Sequence, residues 1–158
     1  VSKGEIGSLG RCVEANCEGL SAEGSVKLGF YYLSRGVPQD SKAFDSDTTI
    51  YINYTGRLLN GRVFDTTIKD TAVMYGIYSS KNKYTPKEVK YYKDDYNQIT
   101  LAGNKVIDGF SYTIHKMKPY EKASGIFISE YGYSSSGTGN TIPPYAALRF
   151  DIEIVDKE

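Results

Sequence analysis

Between Thr48 and Asp65 the sequence spells out a β-hairpin, and few folds accommodate one written this clearly. Ile50, Ile52 and Tyr54 fall on one face at period two, alternating with polar residues. Asn60-Gly61 then supplies the dipeptide that tight hairpin turns favour, and Arg62-Val63-Phe64-Asp65 resumes strand character. Gly56 reads as a further turn. The run Leu148 to Ile154 alternates just as cleanly, apolar on one face and charged on the other, as expected of a strand with one face on a core and one in water.

Two more strands are expected, one over 27–33, closed by Arg35-Gly36-Val37-Pro38, and one over Ala123 to Ser129. Val106, Phe110, Ile114 and Met117 recur near helical spacing, which predicts a helix starting near Ile107 and ending before Pro119. The class is therefore α+β, with an antiparallel sheet laying one face on a short helix. Residues 1–25 are rich in Gly, Ser and Glu and read as an N-terminal extension to a domain over 26–158. The segment Ile68 to Gln98 is treated as one structured insertion. Asp70 to Tyr75 suits a short helix. Thr85-Pro86-Lys87-Glu88 has the spacing of a helix start, yet Val89 to Tyr92 would also make a strand.

Composition removes several function classes. Lys plus Arg and Asp plus Glu each number 19, so no net charge argues for nucleic acid or an anionic membrane. Cys12, Cys17 and the single His115 do not make a metal-ligand set. The two cysteines are left open between a short-loop disulfide and free thiols. His115, without an orienting partner in the pattern, reads as surface and not as a general base. Asp94-Asp95 reads as a solvated turn and Asn53-Tyr54-Thr55 as a chance sequon within a strand. There is no Gly-x-Ser-x-Gly elbow, phosphate loop or dinucleotide fingerprint. Neither a metal nor a cofactor is implied. No apolar run reaches membrane length.

Four blocks carry a resemblance. Residues 53–67, NYTGRLLNGRVFDTT, are similar to a tyrosine strand, hairpin and Phe-Asp strand. Val106-Ile107-Asp108-Gly109-Phe110 is similar to a Val-Ile helix start. Glu130-Tyr131-Gly132-Tyr133 is similar to the tyrosine-bearing start of a long loop, and residues 142–153, IPPYAALRFDIE, to that loop's exit and a final strand. In this order the blocks resemble the FKBP-type peptidyl-prolyl cis-trans isomerases. The resemblance implies a bent antiparallel sheet wrapped around one short helix, with the active site between them.

It also implies chemistry that needs no nucleophile or metal: rotation about Xaa-Pro bonds, assisting the folding of proline-containing polypeptides. Carried over residue by residue, Tyr54, Phe64, Val106, Ile107, Phe110 and Phe150 would line a proline pocket. Phe110 would be its floor, where many members have tryptophan. The Ile107 N–H would hold one substrate carbonyl and the Tyr133 hydroxyl another. Asp65 would organise the site and meet the polar end of the twisted amide, and Ile142 would close a wall. Considered without the family, Val106, Ile107 and Phe150 would be ordinary core residues, Tyr54 a core tyrosine and Asp65 a turn cap.

Four departures matter. Phe110 and the insertion keep open a non-catalytic polypeptide-binding or chaperone module on the same scaffold, with a glycan-binding or structural reuse ranked below it. An aromatic that flanks the pocket in the family has no good counterpart, Tyr96 being a weak match. The small residues of 134–141 leave macrolide binding open. Start at Val1, a small polar N-terminal segment and the insertion resemble secreted or lipid-anchored bacterial members. That implies the cell envelope or periplasm, with any anchor outside the visible chain.

Overall fold

The computed structural model describes residues 29–134, 136–138 and 141–157. Cys12 and Cys17 and the expected N-terminal extension lie outside the described residues. Eight strands form one antiparallel sheet: β1 Phe30–Gly36, β2 Thr48–Leu58, β3 Val63–Thr66, β4 Lys87–Tyr91, β5 Thr100–Leu101, β6 Asn104–Lys105, β7 Lys122–Phe127 and β8 Leu148–Val155. Helix α1 spans Lys69–Met74 and α2 spans Asp108–Lys116. The spatial order is β1-β7-β8-β2-β4-β5-β6, with β3 also on β2.

The long strand β2 organises the sheet. One edge runs along β8 from Tyr51↔Val155 to Leu58↔Leu148. Its other edge is shared end to end: Thr48 to Ile52 pair with β4, and Thr55 to Arg57 pair with β3. The gap between these partners is closed by Thr67, whose N–H donates to the Tyr54 carbonyl at 3.0 Å and whose hydroxyl accepts from the Tyr54 N–H at 3.0 Å. The segment after β3 thus leaves the sheet as α1 and returns to the same strand as β4. This decides the ambiguity over 85–92 in favour of a strand, with Val89 and Tyr91 buried.

Strand β8 follows its alternation: Leu148, Phe150, Ile152 and Ile154 are buried, with half-buried residues between them. These four pack with Ile52, Phe110, Ile114 and Phe127 in the main core. Helix α2 presses against β7 closely enough that a Cβ on Gly109 would come within 2.4 Å of the Phe127 ring. Pro119 follows the helix, as the sequence predicts.

Two expectations are corrected. β1 runs on through Arg35 and Gly36 instead of stopping before them, absorbing the irregularity as a register shift between Ser34 and Gly36. Gly56 is not a turn. It lies inside β2, paired with Asp65 on one side and Phe150 on the other. The turn is at Asn60-Gly61 alone, where Gly61 has φ +91° and the Asn60 side chain accepts from the Arg62 N–H.

Candidate active site

The cleft lies where the β2–β3 and β8 strands face the start of α2. Tyr54, Phe64, Asp65, Val106, Ile107, Phe110, Tyr133 and Phe150 line a cavity of about 270 Å³. Five separate segments of the chain supply them, so the sheet's bending and the α2 entry have to be right before the cavity exists.

Phe150 is the hub. The rings of Phe110 and Phe64 meet it edge-on at centroid distances of 5.0 and 5.6 Å, and Phe127 stacks behind it at 5.9 Å. Tyr54 meets Phe110 edge-on at 5.4 Å. These edge-to-face contacts fix ring orientations better than apolar burial alone. Gly56 sits under the hub: a Cβ there would lie 2.6 Å from Phe64 Cζ and 2.8 Å from Phe150 Cε1. Its lack of a side chain lets both rings settle onto the strand.

Tyr54, Asp65, Tyr133 and Lys105 bring polar groups into this largely apolar lining. The Tyr54 hydroxyl donates to the Asp65 carboxylate at 2.8 Å. Asp65 is exposed, at the cleft's mouth. Burial, together with the Asp65 charge and hydrogen bond, drives the Tyr54 phenol well above its ordinary value. Burial and then the same carboxylate also push Tyr133 up. Both phenols are therefore neutral donors across the physiological range.

Ile107 occupies the N-cap position of α2 in extended conformation, its carbonyl accepting from the Phe110 and Ser111 N–H groups. The N–H of an N-cap residue lies outside the helix's own bonding ladder.

Of the nine residues named from the sequence, Ile142 alone does not line the cleft. It is 2% exposed and packs into the core, while its backbone bridges Thr138. Leu101 and Lys105 line the cleft and were not anticipated. Both belong to the β5–β6 hairpin, whose turn residues Ala102 and Gly103 have φ +50° and +85°. Gly103 in the sequence was the available signal for that turn. Tyr96 is not a cleft aromatic: its ring packs on Tyr112 at 4.1 Å and its hydroxyl accepts from that residue's hydroxyl. No residue of 68–98 lines the cleft. His115 is half-buried, stacked on Tyr91 and hydrogen-bonded through Nε2 to the Lys93 carbonyl at 2.7 Å, far in function from a base aimed at this cleft.

The family model for FKBP-type peptidyl-prolyl cis-trans isomerase matches residues 39–155. The chain belongs to this family. A Haemophilus influenzae protein named as a probable FKBP-type peptidyl-prolyl cis-trans isomerase is 30% identical over 111 residues, 70% of this chain and 36% of its own length. The Trypanosoma cruzi macrophage infectivity potentiator is 27% identical over 81% of this chain and 52% of its length. The chain thus spans about a third to a half of these two relatives. FK506-binding protein 1 of Candida glabrata is 31% identical over 134 residues, 84% of this chain and 93% of that protein. Among solved structures, a peptidyl-prolyl cis-trans isomerase of Pseudomonas syringae superposes with a TM-score of 0.62 at 19% identity, covering 99% of this chain and 92% of that one. FkpA of Escherichia coli gives 0.59 at 23% identity, covering 98% and 57%. At these identities the structural likeness establishes the FKBP fold.

Proposed function

We propose that the cleft accelerates cis–trans rotation of Xaa-Pro bonds in polypeptide substrates. The observation that carries this is the cavity itself: largely aromatic and aliphatic walls, with a Tyr-Asp pair, the Tyr133 hydroxyl and Lys105 as its polar groups.

Amide resonance sets the uncatalysed barrier at roughly 18–20 kcal/mol. In the planar ground state the amide is charge-separated. In the twisted transition state the C–N bond loses double-bond character, the nitrogen pyramidalises and the charge separation falls. An apolar pocket disfavours the planar form more than the twisted one, which is differential binding in the required direction. Phe110 would form the floor under the proline ring, with Tyr54, Phe64, Val106 and Phe150 around it. The Ile107 N–H and the Tyr133 hydroxyl would hold the flanking carbonyls. Asp65, held in place by Tyr54, would organise the site and meet the polar end of the twisted amide. Each 1.36 kcal/mol gained this way is about a tenfold rate increase.

The reading is tested by isomerisation kinetics on an Xaa-Pro tetrapeptide, wild type beside Asp65→Ala and Phe110→Leu, with folding checked by circular dichroism. Acceleration that falls in both folded variants supports it. A folded wild type that gives no acceleration overturns it and favours a polypeptide-binding module on the same scaffold. FK506-type ligands are named for some relatives, and binding of such a macrolide by this cleft is a second, separate measurement.

A further inference from the structure

The sheet face opposite the cleft carries an unusual concentration of guanidinium groups. Period two puts Tyr54 in the cleft and Asn53, Thr55 and Arg57 on the other face of β2. In the β2–β8 register Arg57 lies directly opposite Arg149. Like charges in that position repel. A third guanidinium joins them: Arg35 sits where the β1–β7 register shifts, a bulge that re-aims a side chain. All three meet one carboxylate. Arg149 Nε and Arg57 Nε approach Asp151 at 2.9 and 3.1 Å, and Arg35 Nη1 lies 3.5 Å away.

Asp151 also accepts from the Ser124 hydroxyl at 2.6 Å. One negative charge is thus shared by three cations. The neighbouring Lys122–Glu153 pair, 3.7 Å apart, is internally neutral. A half-open cavity of about 220 Å³ adjoins this network. Its lining brings Arg35, Arg57 and Lys122 together with Asp151 and Glu153, beside Asn53, Thr55 and Thr71. Planar guanidinium forks with donors to spare, three lining cations against two lining carboxylates, and hydroxyl and amide neighbours match a compact oxyanion with several acceptor oxygens.

We propose that this cavity on the outer face of the sheet is a binding site for a free phosphate-class oxyanion, held chiefly by Arg35 and Arg57 and separate from the isomerase cleft. Arg35 is the residue to change, since it is 42% exposed at its side chain and belongs to no part of the cleft. The thermal midpoint of the whole chain is followed in rising inorganic phosphate and in sodium chloride of matched ionic strength. A saturable rise with phosphate beyond that with chloride, reduced severalfold in Arg35→Ala and largely restored in Arg35→Lys, is expected. Equal responses to the two salts, or an undiminished phosphate response in Arg35→Ala, overturn the proposal. Arginine Nε–Hε resonances of the wild type give an independent reading. Phosphate should shift those of Arg35, Arg57 and Arg149, and shifts confined to other arginines would overturn it. Isomerase kinetics of Arg35→Ala should match wild type.

Discussion

The Tyr54 hydroxyl and the Asp65 carboxylate, on paired strands β2 and β3, are joined at 2.8 Å across the mouth of an aromatic-walled cleft. The tyrosine is partly buried and the carboxylate exposed, so the bond ties an exposed charged group to the cleft wall. In Tyr54→Phe that restraint is lost while the carboxylate remains hydrated. The expected outcome is a stability change of about 1 kcal/mol, typical of one hydrogen bond, with kcat/KM on an Xaa-Pro peptide falling by roughly tenfold. Denaturant unfolding beside the isomerisation assay measures both. A Tyr54→Phe enzyme with wild-type turnover would show that Asp65 needs no such positioning.

Phe110 has only 2% of its surface exposed and meets the rings of Tyr54 and Phe150 edge-on. Truncation to alanine should destabilise by about 3–5 kcal/mol, which confounds any loss of turnover. Phe110→Leu keeps most of the volume and should cost under about 1.5 kcal/mol. Its turnover should fall several-fold because the flat aromatic floor is gone. Phe110→Trp, the residue common in the family, must find extra volume in a packed site. Its expected cost is about 1–3 kcal/mol, with activity retained. Kinetics on the two folded variants separate ring shape from simple hydrophobicity.

Gly56→Ala provides a test that replaces no cleft residue and acts through two that line it. The added methyl would crowd Phe64 and Phe150 at 2.6–2.8 Å, and both rings line the cleft. Rearrangement should cost about 1–3 kcal/mol in chemical denaturation. Turnover should fall together with stability, because displaced rings change the cavity's shape. A fully active Gly56→Ala protein would mean that Phe64 moves aside without consequence for substrate.

The same glycine shows where the sequence could and could not be read. A glycine between strand-like residues suggests a turn, because its usual meaning is conformational freedom. At Gly56 its meaning is close approach by two rings from other segments, which no local pattern reports. The alternation in β8, the Asn60-Gly61 turn and the α2 helix were legible because each is set by spacing within a few residues. So were the eight cleft residues carried by family blocks, since those blocks preserve order and spacing. Leu101 and Lys105 were missed because β5 and β6 are two residues each, too short to show a period. Ile142 came from a matching block and lies in the core, not among the cleft-lining residues. The 85–92 stretch carried both helix and strand signals, and pairing with β2 decided between them.

Acid titration should isolate the Asp151 network. Burial by itself would raise this carboxyl. Hydrogen bonds from Ser124 and Arg149 and the charges of Arg149 and Arg35 outweigh it, so it lies below its ordinary value. A carboxyl depressed on folding contributes its full stabilisation above the unfolded-state value of about 3.9 and loses it as pH falls through the folded value. Asp151→Asn leaves three guanidiniums without their shared anion and should cost on the order of 3 kcal/mol at neutral pH. The variant has no carboxyl to protonate at this position. The gap in unfolding free energy between wild type and Asp151→Asn should therefore stay constant from pH 7 to about 5 and narrow below about pH 4. A gap that holds unchanged to pH 3 would mean that Asp151 titrates alike in the folded and unfolded chains, and that the three arginines do not hold it as the geometry indicates.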